Sequence, residues 1–236
     1  MTDRDPGQNR GARDAPAAAA AIAAGAALFN EGRFLAARDA WNAGRRAPDD
    51  GAGSAGDDVG STDGDRDSLD DERLLRALAA TAAATQRAAH GDRSGAAECA
   101  DDAAAALRGV ADPQGVALAP VREWTERLAA GPEAEGTADA PRIRVDGEAP
   151  TVDGLSLAAA GVAAPALANA GEPGDAAVLA SASDFAREER GTGRTEFAEL
   201  LFAYLRSPDA RPQVAARLGD HVDREERKRR DVDGLF

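Results

Sequence analysis

Sixty of the 236 residues are alanine, whereas leucine, isoleucine, valine and phenylalanine together supply 37. That ratio constrains the chain more than any motif in it. Alanine is the best helix former but buries little surface, so such a chain folds by bringing helix backbones close together, around a thin core. The share of large apolar residues falls below the ~20% at which disorder competes with folding. Against an acidic disordered chain stand the helical spacings and caps described below.

Aspartate and glutamate number 42 against 28 lysines and arginines, a formal net charge of −14, and Lys228 is the single lysine. Like-charge repulsion at this level opposes compaction at low salt and is screened as the Debye length falls to ~3 Å near 1 M. The expectation is a protein adapted to a high-salt cytoplasm. Nucleic acid is not an expected partner, because phosphate binding needs a basic face. The apolar run Ala15 to Phe29 follows Asp3, Asp5 and Asp14 interleaved with Arg4, Arg10 and Arg13, which is no positive leader. It is also shorter than the ~20 residues needed to span a bilayer. A soluble, unexported chain without a membrane partner is expected. One cysteine and two histidines exclude an internal disulfide and a Cys/His zinc site.

The chain divides by pattern. Residues 1–13 read as a disordered tail, and residues 14–130 as a helical domain carrying an acidic, glycine-rich loop at 47–69. Its first helix is expected from Asp14 and Pro16 to Asn30, stopped by Gly32, and its second carries Phe34, Ala37 and Trp41 on one stripe. A third begins at Asp70 or Asp71 with Leu74, Leu75 and Leu78. The fourth follows Asp92, with Ala96, Cys99, Ala103 and Leu107 inward, and a fifth after Pro120 carries Val121, Trp124 and Leu128. Residues 131–141 read as a linker, and 142–236 as a second, mostly helical unit. There Arg142 to Val145 alternates as a short strand would, and Pro165 is expected to interrupt a helix. Phe197, Leu200, Leu201, Tyr204 and Leu205 form the clearest amphipathic stripe. The fold class is all-α: helical hairpins packed as a small bundle, followed by that second unit.

Candidate sites have plain alternatives. Gly51 to Gly56 has dinucleotide-motif spacing but lies in the loop before Asp57 and Asp58, which would repel a phosphate. Cys99 stands beside Glu98, Asp101 and Asp102, which disfavour a thiolate, and reads as a packing residue. His90 and His221 have ordinary helix-terminal and helix-surface readings. The basic run Arg227 to Arg230 reads as a solvated helix end, and Leu235-Phe236 as a docking tail. No pattern assigns a catalytic residue, a cofactor or a metal.

The stretch Leu28 to Trp41, with Asn30, Glu31, Gly32, Phe34, Ala37 and Trp41 in order, resembles the signature of the uncharacterised domain-of-unknown-function family numbered 309. The Leu74-Leu75 to Gly91-Asp92 region and the helix after it extend the resemblance over residues of about 17 to 130. It implies a small all-helical protein. Where that family typically has histidine and glutamate this chain has Arg38 and Asp39, and Asn42 replaces the glutamate after the tryptophan. Arg76, Ala80 and Gln86 depart from the family's polar residues in the third helix. A metal or acid/base site there would have lost a histidine and a carboxylate, leaving Arg38 and Asp39 near Trp41. The spacings at Gly32-Phe34-Ala37 and Gly91-Gly95-Ala96 also look like tetratricopeptide helix pairs, whose groove takes a partner.

The motif cluster is therefore Asn30, Glu31, Gly32, Phe34, Arg38, Asp39, Trp41 and Asn42. The expectation is a non-catalytic helical interaction or scaffold protein that binds a protein partner or itself. The alternative is a small-molecule or metal-binding enzyme that uses the polar cluster around Asp39 in a helical cleft.

Overall fold

The computed structural model describes residues 17–46, 62–111, 113–131 and 139–233. Among them nine α-helices run in the order α1 (Ala17–Asn30), α2 (Phe34–Arg46), α3 (Thr62–Ala89), α4 (Arg93–Arg108), α5 (Leu118–Ala129), α6 (Leu157–Asn169), α7 (Ala176–Glu189), α8 (Glu196–Arg206) and α9 (Arg211–Asp233). The all-α reading is correct. No helix among the described residues is long and apolar enough to cross a membrane. The expected tail at 1–13, the first-helix cap at Asp14, the glycine motif at 51–56, most of the linker and Leu235-Phe236 lie outside the described residues.

Three hairpins, α1–α2, α3–α4 and α6–α7, close by one device. At Gly32 and Gly91 the backbone turns left-handed, with φ of 75° and 78°, a conformation glycine adopts without Cβ strain. The residue after each glycine then bonds back to the helix: Arg33 N to Leu28 O at 2.9 Å, and Asp92 N to Arg87 O at 3.0 Å. Gly171 and Glu172 repeat the closure on Leu167 O at 3.1 Å. Asp92 also caps α4 by accepting Gly95 N at 3.0 Å.

Small residues let the hairpins close tightly. A Cβ on Gly44 would lie 2.4 Å from Ala21 Cβ, and one on Gly161 would lie 3.0 Å from Ser183 Cβ. The α6 helix packs against α1, α2, α7 and α8. Most of the buried apolar residues form one continuous cluster from Ala21 through Leu78 and Leu107 to Leu167, Leu201 and Val222. The contacts of α6 with α1 and α2 run across the boundary drawn between 14–130 and 142–236, a contact that does not signal itself locally where 13 of the 27 residues of α1 and α2 are alanine.

Four further expectations are corrected. Residues 62–69 belong to α3 and not to the acidic loop. Pro165 lies inside a continuous α6, and the Gly161 carbonyl it leaves without a helical donor sits 3.5 Å from Ser183 Oγ, whose proton is better placed on Leu179 O at 2.8 Å. Residues 142–145 form isolated bridges, Val145 pairing with Val116 and Glu148, and no strand. Asp146 and Gly147, with φ of 51° and 83°, make the two-residue turn between Val145 and Glu148. On α4 the buried positions include Ala100, and Cys99 is half-buried.

Candidate functional site

The motif cluster occupies the α1–α2 turn and the first nine residues of α2, and the structure divides it into three parts. The first is a clamp. Asn30, the last residue of α1, donates from Nδ2 to Ile143 O at 3.0 Å and to Pro150 O at 3.1 Å, and its Oδ1 accepts Ile143 N at 2.7 Å. Glu31 Oε1 accepts Val152 N at 3.2 Å. Ile143 and Val152 are buried, so this turn ties an irregular segment more than a hundred residues away onto the core. Gly32 supplies the bend that brings both side chains to that segment.

The second part is packing. The Phe34 ring meets Phe29 edge-on with centroids 5.0 Å apart, and Phe29 lies 6.1 Å from Trp41. Trp41 is fully buried, as its stripe implied. It sits on Gly25 of α1, and its Nε1 is buried without a hydrogen-bond partner. An unpaired buried donor costs about 1 to 3 kcal/mol, so burial of the ring outweighs the lost bond.

The third part is polar surface on α2. Arg38 Nε and Nη2 donate to Asp39 Oδ1 at 3.2 and 3.1 Å, and Asn42 Oδ1 accepts Arg45 Nη1 at 3.1 Å. These are neighbouring, partly exposed pairs of small energetic weight. The Asn30 amide, by contrast, has both N–H groups and its oxygen engaged with main chain, which leaves it no free donor for a substrate. Among the described residues no group of three or more His, Cys, Asp or Glu side chains could hold a metal ion.

Sequence reasoning missed an ion triad beside this turn. Glu172, in the α6–α7 turn, bridges Arg33 Nη1 at 2.5 Å and Arg211 Nη1 at 2.8 Å. Arg211 is buried at the start of α9, where Nε donates to Tyr204 O at 3.1 Å and Nη2 to Leu205 O at 3.3 Å. The Tyr204 hydroxyl donates to Pro173 O at 2.8 Å. Burial pushes the Tyr204 phenol up from its ordinary value, against the opposing pull of the Arg211 charge. The only sequence signals were an arginine before a proline and a glutamate after a turn glycine, each commonplace. A second missed group is the bond from Trp124 Nε1 to Thr85 Oγ1 at 2.9 Å, whose hydroxyl in turn donates to Thr81 O at 2.8 Å.

No protein-family model matches the chain, and neither a curated protein nor a solved structure matches it.

Proposed function

We propose that the protein is a non-catalytic helical scaffold or interaction module of the high-salt cytoplasm, related to the family numbered 309. The observation that supports this reading is the Asn30 amide, whose donors and acceptor are all engaged with the main chain of Ile143 and Pro150. Asn30 and Glu31 of the motif fasten the fold, whereas Arg38, Asp39 and Asn42, which the enzyme alternative would use, make only local pairs along α2. Trp41 acts as its anchor, and Arg38 and Asp39 neutralise one another on the surface of α2.

The acidic balance supports the salt-adapted part, since screening relieves the repulsion of a −14 net charge. Circular dichroism melting with light scattering across a KCl series tests it. The reading expects a melting midpoint that rises with salt, and a mass above one chain would identify the partner as a second copy. Saturable turnover of phosphoesters or nucleotides with added Mg²⁺, Mn²⁺ or Zn²⁺, lost in Asp39→Ala at unchanged stability, would replace it with the enzyme reading.

A further inference from the structure

The α9 helix is fastened to the body in two different ways along its length. Its first half is held by apolar burial: Leu218 and Val222 are buried, and His221 meets the Phe197 ring edge-on at 6.1 Å. From Asp223 to Asp231 no side chain is buried, and only Glu225 is half-buried. This second half touches the body through charge. Arg229 pairs with Glu188 of α7 and lies over the Phe185 ring, 4.4 Å from its centroid. Glu225 Oε1 faces Arg194 Nη2 of the α7–α8 turn at 3.4 Å and Lys228 Nζ at 2.6 Å.

Within the first half, between the buried Leu218 and Val222, stands Gly219, where an added Cβ would meet nothing within 4 Å. No packing requires a glycine there, and a glycine inside a helix weakens it by roughly 1 kcal/mol relative to alanine.

We propose that residues 223–233 of α9 form an electrostatically latched arm, docked on α7 while its ion pairs hold and frayed when salt screens them. The side chains of Arg229 and Glu188 are 52% and 56% exposed, so ionic strength reaches the pair directly. Helix ends without a packed face fray, since their last carbonyls have no intrahelical donor. Release lifts the Arg229 guanidinium from Phe185, which stacks on Phe197 with centroids 5.0 Å apart, and so opens an aromatic face on α7. The device does not depend on the scaffold reading.

Hydrogen exchange read by mass spectrometry on the full chain tests it, at KCl concentrations of about 0.1 M and about 1 M. Peptides covering 223–233 are expected to be protected at low salt and to exchange roughly tenfold faster at high salt, while peptides from α8 keep their protection. Glu188→Gln is expected to reproduce the fast exchange at low salt. Gly219→Ala is expected to slow it at high salt. An arm unprotected at low salt, an arm equally protected at both, or loss of protection shared with α8 overturns the proposal.

Discussion

A Cβ placed on Gly25 would stand 2.2 Å from Trp41 Nε1 and 2.3 Å from Cε2. The indole of α2 therefore lies directly on the backbone of α1, and this contact sets how closely the first hairpin closes. Gly25→Ala must push the ring or the helices apart, and overpacking a tight core costs about 1 to 3 kcal/mol. Trp41→Ala removes the ring and leaves a cavity, at a cost of about 3 to 5 kcal/mol. The double variant is expected to be less destabilised than the sum of the two, because alanine at position 25 refills part of the space the ring vacates. Urea titrations of the three variants measure this; additive losses would mean that the two sites do not share a contact.

Asn30→Ala is expected to cost about 2 to 4 kcal/mol, because it leaves Ile143 N, Ile143 O and Pro150 O without their partner in a partly buried setting. Glu31→Gln keeps an acceptor for Val152 N and is expected to cost less than 1 kcal/mol. Proteolysis at low trypsin should cut Asn30→Ala after Arg142 or Arg144 sooner than the parent. Equal cutting rates would mean that the segment is held without the clamp.

The acid limb of stability has an identifiable contributor in Asp92. Its carboxyl is held below the usual carboxylate range first by the Gly95 backbone N–H it accepts and then by the Arg87 guanidinium, 2.8 Å away. A carboxylate lowered on folding stabilises the protein above its unfolded pKa, about 3.9 for aspartate. That contribution is lost as pH falls through the lower folded value. Asp92→Ala is expected to reduce stability at neutral pH and to flatten the fall between pH values of about 5 and 2. Melting curves across that range check the sign: a variant whose acid limb stays as steep as the parent's removes Asp92 from it.

How much of this was legible depends on how far the information travels along the chain. The α8 stripe of Phe197, Leu200, Leu201, Tyr204 and Leu205 is buried at every position, because periodicity of large apolar residues is local and survives in any packing. In α4 the stripe slipped by one place, from Cys99 to Ala100. Where alanine is the apolar residue on every side, spacing no longer tells a buried face from an exposed one. The Asp146-Gly147 turn carried a hairpin signal in plain sequence, but it lies outside any regular strand and the alternation around it suggested one. Asn30 was marked as a motif residue without its role being readable. Its partners lie more than a hundred residues on and are backbone atoms, which leave no trace in side-chain identity.

The same limit applies to Glu172, and the bridge it forms supplies the most demanding test of the single-core description. Arg211 is 3% exposed, so removing its counter-charge leaves a buried cation facing a neutral amide. Breaking a buried pair costs about 3 to 5 kcal/mol, and solvent at the 22% exposed Glu172 side chain reduces this to about 2 to 3 kcal/mol for Glu172→Gln. Arg33→Ala, which removes the outer partner at 42% exposure, is expected to stay within about 0.5 kcal/mol. Combining Glu172→Gln with Arg211→Met should recover much of the first loss, since an apolar side chain of similar length leaves no charge stranded. Because α1–α2, α6–α7 and α9 meet at this carboxylate, the loss should appear as one shifted cooperative transition by both tryptophan fluorescence and circular dichroism. Two separated transitions would instead show that α6–α9 unfold independently of α1–α5, and that the continuous core does not act as one thermodynamic unit.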